Sequence, residues 1–290
     1  MTDALEGLID LLDLEAIEVN IFRGKSPDEK RQRVFGGQVA GQALVAAGRT
    51  VEPERHVHSM HGYFLRPGDP NIPILYEVDR IRDGRSFTTR RVVAVQHGKA
   101  IFHLSASFQV QEDGLDHWAP MPEVPAAESL PDFATRMEPF KDEMGDWYDR
   151  SRPIDTRYVS EPWRGSAPDE RDPSQQVWIR ADGRLPDDPL LHACVVAYAS
   201  DMTLLDSTLM PHRGELPKGD PFGPIMMASL DHAMWFHRPF RADEWLLYDQ
   251  ESPSASGARG LARGGIYRED GALAVSVVQE GLIRVLKPTP

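Results

Sequence analysis

The chain is expected to be an α+β protein in which one unit, a long helix wrapped by an antiparallel sheet, is built twice. Three observations lead there: an internal repeat, period-two strand patterning in both copies, and a helix segment ahead of the strands in each. Residues 59–67 read SMHGYFLRP and residues 231–239 read DHAMWFHRP, aromatic-rich stretches ending in Arg-Pro that start 172 positions apart (59 to 231). At nearly the same spacing, SFTTRRVVAVQHGKAIFHLSASF aligns with RGLARGGIYREDGALAVSVVQEG.

The acidic, amphipathic start, MTDALEGLIDLLDLEAIEVN, lacks the basic-then-apolar order of a signal peptide. No apolar run approaches the roughly 18–20 residues that cross a bilayer, so no membrane span is expected. The first helix falls on GGQVAGQALVAAG (36–48), where Ala40, Ala43 and Ala47 make a stripe small enough to lie close on a sheet and Gly48 is the expected stop. In 100–110, Ala100, Phe102, Leu104, Ala106, Phe108 and Val110 alternate with Ile101, His103, Ser105, Ser107 and Gln109, after a hairpin turning at His97-Gly98.

Residues 112–174 mix Pro, Asp, Glu, Ser and Trp without sustained periodicity and are expected to be a surface linker, with a helical piece in 130–150 shortened by Pro131 and Pro139. In the second copy, Asp188 and Pro189 form an N-cap and first-turn pair ahead of LLHACVVAYASDMTLL. A turn at Asp270-Gly271 then precedes a strand with Leu273, Val275, Val277 and Gln279 on one face. The expected organisation is an N-terminal unit over 1–111, a linker over 112–174 and a C-terminal unit over 175–290, the pattern of a double hotdog.

A formal charge of −13 argues against nucleic acid or anionic lipid as a partner, since both are held by clustered Lys and Arg. The single cysteine, Cys194, excludes an internal disulfide and any CxxC motif and points to a reducing compartment, by default the cytoplasm. It lies within the apolar helix, as a core residue would.

Among polar residues Asp201 is the most informative, because at helical spacing it shares a stripe with Cys194, Ala197, Tyr198 and Leu205. A carboxylate there needs hydrogen-bond partners or a raised pKa, and the latter suits a general base. The alternative is that Asp201 caps a further turn, SDMTLLD. Ser229, alone, reads as a satisfied edge hydroxyl. Gln279 interrupts an apolar row and needs partners. Together the three put polar groups into one apolar half, whereas the corresponding first-half positions are Val57 for Ser229 and Ala106 for Gln279, so only the second half is equipped. His56, His58 and His61 lack a further ligand to complete a metal set. Gly36, Gly37 and Gly41 do not form GxGxxG and fit close helix packing better than a dinucleotide site. No GxSxG occurs, so water rather than a serine would attack.

The segments IFRG (21–24), VFGGQVAGQAL (34–44), HSMHGYFLRPGDP (58–70), RDGRSFTTRRV (82–92), QVWIRADG (176–183), YASDMTLL (198–205), DHAMWFHRPF (231–240), GARG (257–260) and VQEGLIR (278–284) resemble, in order, those of the acyl-CoA thioesterase II family. The resemblance implies a double hotdog that hydrolyses fatty acyl-CoA to fatty acid and CoA without a cofactor, assembled as a homo-oligomer, dimer or tetramer. It matches Asp201 and Gln279 to the family's catalytic Asp and Gln. Ser229 stands where the family usually has Thr, which keeps the hydroxyl and loses the methyl that restricts its rotamer. Asp201 would accept the proton while Ser229 and Gln279 hold the water. An apolar tunnel between helix and sheet would take the acyl chain, and surface Arg residues the CoA phosphates. Two rivals remain at this point: a hotdog enoyl-CoA hydratase, for which no His follows Asp201 in Met-Thr-Leu-Leu, and a non-enzymatic acyl-CoA sensor.

Overall fold

Alternating side chains and short turns favour antiparallel pairing. In the computed structural model, which describes residues 2–27, 32–145, 148–159, 173–215 and 225–286, thirteen strands join one antiparallel sheet. The first half contains α1 (Asp3–Leu12), β1 (Glu15–Glu18), β2 (Ile21–Gly24), α2 (Gly36–Gly48), β3 (Arg55–Phe64), β4 (Ile74–Asp83), β5 (Phe87–Gln96) and β6 (Lys99–Val110). Then come α3 (Phe133–Met137), α4 (Lys141–Met144), β7 (Ile154–Tyr158), β8 (Ser174–Ala181), α5 (Pro189–Ser200), β9 (Ile225–Ser229), β10 (Asp231–Phe236), β11 (Leu246–Ser256), β12 (Arg259–Arg268) and β13 (Leu273–Val285). The strand order is β1-β2-β4-β5-β6-β3-β10-β13-β12-β11-β8-β7, with β9 pairing on β13. The two halves meet where β3 pairs with β10, Met60 opposite Met234. The expected α+β double hotdog is present.

α2 and α5 run antiparallel against each other. Gly37, Gly41 and Gly48 of α2 face Tyr198, Cys194 and Leu190 of α5, and a Cβ on Gly41 would stand 3.2 Å from the Cys194 carbonyl oxygen. Close helix packing therefore accounts for these glycines. Gly48, expected as the stop, is instead the last helical residue; Arg49 caps in the right-handed region, and Gly48 makes room for Leu190. Cys194 is fully buried, which pushes its thiol well above the ordinary range.

At the first hairpin His97 and Gly98 both have positive φ (50° and 69°), as a two-residue turn between twisted strands requires. At the second only Gly271 does (84°), and its N–H donates to the Arg268 carbonyl at 2.9 Å, a three-residue turn.

Three indoles tie the segment read as a linker to the second half. Trp118 Nε1–H donates to the Gly271 carbonyl (3.0 Å), Trp178 Nε1–H to the Pro125 carbonyl (3.0 Å) and Trp245 Nε1–H to Glu128 (2.6 Å). Ala127 joins Trp178, Trp245, Leu247 and Tyr267 in a separate apolar cluster. Inside the same segment β7 pairs with β8, Ile154 opposite Ala181, so this stretch also contributes a strand. The helical piece expected in 130–150 is split into α3 and α4 by a 3₁₀ turn at Glu138–Phe140, where Pro139 stands.

Candidate active site

The expected second-half helix runs on to Leu205, whereas α5 stops at Ser200, and Asp201 is its C-cap (φ −85°, ψ −2°). Side chains at this end occupy the groups that a further α-turn would use. Ser200 Oγ lies 3.0 Å from the Ala197 carbonyl, Tyr248 donates to the Ser200 carbonyl (3.3 Å), and Gln175 Nε2 donates to the Thr203 carbonyl (3.4 Å). The chain continues in 3₁₀ turns over Leu204–Glu215. Asp201 thus projects from a helix end.

β13 brings the second group. Val275, Val277 and Gln279 alternate inward as expected, each fully buried. Ser229 closes β9, opposite Gly281 of the same strand. The three side chains meet: Gln279 Nε2 donates to Asp201 Oδ1 at 2.6 Å and to Ser229 Oγ at 2.9 Å, and Ser229 Oγ donates to Asp201 Oδ1 at 3.3 Å. These bonds use both amide hydrogens and the one hydroxyl hydrogen consistently.

Protein surrounds Asp201, yet the residue keeps intermediate exposure, so a molecule as small as water can reach it. Burial raises its pKa to about 6, against the lowering effects of the bonds from Gln279, Ser229 and the Gly37 N–H and of the Arg33 charge. Two of those groups belong to the first half. A Cβ on Gly36 would sit 2.7 Å from Asp201 Oδ2, and Gly37 donates its N–H to the carboxylate. The first turn of α2 therefore closes the site, with the Gly37 N–H facing the carboxylate. Arg33, just ahead of α2, donates to the Met227 carbonyl on β9 at 2.6 Å and bridges the halves.

The equivalent place in the first half is filled. Arg90 pairs with Ala106 as Ala262 pairs with Gln279, and Arg90 is 1% exposed. Its guanidinium donates to Thr50 Oγ1 (2.8 Å), the Thr50 carbonyl (3.1 Å) and Asp83 (2.5 Å). Arg90→Met should lower unfolding free energy by about 2–4 kcal/mol, because it strands buried acceptors and leaves a void. Urea denaturation would show it; an unchanged midpoint would mean that this Arg is not structural.

Two of the three histidines serve other neighbours: His58 packs edge-on to Phe87 and His61 to Trp235. Among the described residues no three His, Cys, Asp or Glu side chains gather as a metal requires. Between α5 and the sheet, a void lined in part by Ile154, Ile179, Val196 and Leu246 measures about 10 Å³, room for about one water and not for the acyl chain expected there. A surface groove of about 420 Å³, lined in part by Phe240, Arg241, Trp245 and Arg268, contains none of the three site residues.

A family described as acyl-CoA thioesterase matches residues 146–282, and its N-terminal domain matches 26–109. Acyl-coenzyme A thioesterase 8 of Mus musculus is 44% identical over 293 residues, covering 96% of this chain and 88% of the relative. The chain belongs to the acyl-CoA thioesterase family. Acyl-CoA thioesterase 2 of Haemophilus influenzae is 41% identical, covering 98% of this chain and 99% of its own. The crystal structure of acyl-CoA thioesterase II TesB2 from Mycobacterium marinum superposes with a TM-score of 0.80 at 47% identity, over 97% of this chain and 100% of that one. A protein with a hot dog fold from Alicyclobacillus acidocaldarius, at 19% identity and a TM-score of 0.76, shares the fold.

In this family member Asp201, Ser229 and Gln279 come together as one cluster. Gly36 and Gly37, assigned from sequence to helix packing, also border the carboxylate. A Gly-Gly pair opening a helix behind Phe35, a residue without a capping side chain, was the available signal.

Proposed function

We propose that this thioester hydrolase cleaves fatty acyl-CoA to fatty acid and CoA by water attack, with Asp201 as general base and Ser229 and Gln279 orienting the water. The observation that carries the proposal is the three-way hydrogen-bonded cluster around a carboxylate whose pKa burial lifts to about 6. A base with that pKa is ionised at neutral pH and still basic enough to draw a proton from water as the bond to carbon forms. Oδ1 already accepts two side-chain bonds, so the water donates to Oδ2, beside Gly36, and takes over one of the amide or hydroxyl hydrogens that Gln279 and Ser229 share within the cluster. The N–H groups of the first turn of α2 that Asp201 does not engage supply donors for the oxyanion as the carbonyl becomes tetrahedral. The thiolate of CoA leaves without strong acid assistance.

Palmitoyl-CoA with a thiol reagent tests the reading: wild type releases CoA and Asp201→Ala does not. Binding without release by wild type would favour an acyl-CoA sensor. The same assay across pH should show kcat/KM rising with pH through an apparent pKa near 6 as Asp201 loses its proton. Gln279→Leu should move that limb upward, because the lost amide bond had lowered it. A limb unmoved by Gln279→Leu would separate it from Asp201.

Ser229→Thr should keep activity within about threefold and Ser229→Ala should lose roughly tenfold, since only the second removes the hydroxyl. Equal activity in all three would exclude the hydroxyl from holding water. Assembly into a homo-oligomer in the cytoplasm belongs to the same proposal, and sedimentation of the purified protein measures the first part of it.

A further inference from the structure

One buried titratable side chain beside the cluster has no part in this chemistry. His232 stands on β10, fully buried, and the pairing of Ala233 with Val278 places it next to Gln279 across the strands. Its Nε2 is 2.8 Å from Ser200 Oγ, on the residue just before Asp201. Among the described residues its Nδ1 has no partner, and neither has Gln279 Oε1, both buried polar atoms. Two such orphans on neighbouring side chains of one inner face call for a common explanation.

Proton counting supplies one. Ser200 Oγ carries one hydrogen and has three acceptors in range: His232 Nε2 at 2.8 Å, the Ala197 carbonyl at 3.0 Å and Met234 Sδ at 3.6 Å. Given to the nearest, Nε2, that hydrogen leaves the ring proton on Nδ1. The unpartnered pair is then a donor and an acceptor, and a single bridging water satisfies both. Burial lowers the His232 pKa to about 4, which keeps the ring neutral, with one donor and one acceptor nitrogen, at ordinary pH.

We propose that His232 is a positioning residue, linking the Ser200 hydroxyl at the end of α5 to the Gln279 amide oxygen and so fixing which edge of that amide faces Asp201. The choice matters because a flipped amide would turn its oxygen toward the carboxylate. A donor waiting at Oε1 selects the orientation in which Nε2 faces Asp201 and Ser229. The repeat supports the assignment. In the first half Met60 pairs with Ala106 at the corresponding positions, so that half, without the glutamine, lacks the histidine as well.

The proposal rests on the hydrolytic reading, and the test separates the two. His232→Met, the residue of the other half, His232→Asn, which keeps an amide donor near the Nδ1 position, and His232→Gln, which reaches toward Ser200, are compared for kcat, KM and pH profile on palmitoyl-CoA. His232→Met should lower kcat by roughly tenfold or more with KM within about twofold, and raise the apparent pKa of the acid limb by loosening Gln279. His232→Asn should recover more of kcat than His232→Gln. Wild-type kcat and an unmoved limb in His232→Met would overturn the proposal. ¹⁵N NMR of the His232 ring gives a readout without turnover: the Nδ1–H tautomer, with an Nδ1 shift that responds to Gln279→Leu, supports the link. An Nε2–H tautomer indifferent to Gln279→Leu contradicts it, even if wild type hydrolyses no thioester or His232→Met fails to fold.

Discussion

Asp201→Asn is expected to lower kcat/KM by about 10²–10⁴-fold, the usual contribution of a positioned general base, with KM little changed. Asparagine keeps the shape and can still meet Gln279 and Ser229, so the loss isolates basicity. Stability should move the opposite way. The folded-state pKa of Asp201, about 6, lies above the ~3.9 of an unfolded aspartate, so between those values the native state binds more protons than the unfolded one. Native stability therefore falls as pH rises through that window. Above pH 6 the full penalty is present, at most about 3 kcal/mol and less for the solvent contact the residue keeps. Asp201→Asn should accordingly be the more stable protein at pH 7 and lose that advantage at pH 4. Urea melts at the two pH values measure it; a variant equally destabilised at both would mean that the carboxylate serves structure rather than catalysis.

Gly36→Ala should cost roughly a hundredfold in kcat/KM although Gly36 makes no proposed covalent or proton-transfer contact. The added methyl would lie 2.7 Å from Asp201 Oδ2 and 3.0 Å from the Phe64 ring, so the carboxylate must shift. In a helix, alanine is otherwise preferred to glycine by about 1 kcal/mol, and the fold should not suffer from the backbone change. Gly7→Ala in α1, where a Cβ would meet nothing within 4 Å, is the control and should leave activity unchanged. Thiol-release kinetics on both variants decide the matter. Equal activities would place Oδ2 outside the reaction.

How much of this was legible in the sequence follows the range of the interactions. The α2 stripe, the period-two strands and the His97-Gly98 turn depend on neighbours a few residues apart, and they appear where expected. Asp201 and Gln279 were legible because each sets a polar group into an apolar row. The end of α5 was not: the Ser200 and Thr203 carbonyls accept from Tyr248 and Gln175, strand residues distant in sequence, which satisfy groups that local propensity assigns to another helical turn. The contribution of Gly36 was hidden for a similar reason. It arises only because two helices from different halves run antiparallel, placing the start of one beside the end of the other. In β7, Ile154, Thr156 and Tyr158 alternate as buried residues with Asp155 and Arg157, but five residues of period two inside a stretch of mixed composition are too short a signal to stand out.

Attack by water rather than by the carboxylate is the central claim, and a single turnover in H₂¹⁸O with enzyme in excess over palmitoyl-CoA tests it most directly. Water activated by Asp201 places one ¹⁸O in the fatty acid during the first turnover and none in the protein. Fatty acid released with ¹⁶O, together with ¹⁸O found in the Asp201 side chain by peptide mass analysis, would show that the carboxylate itself attacked the thioester.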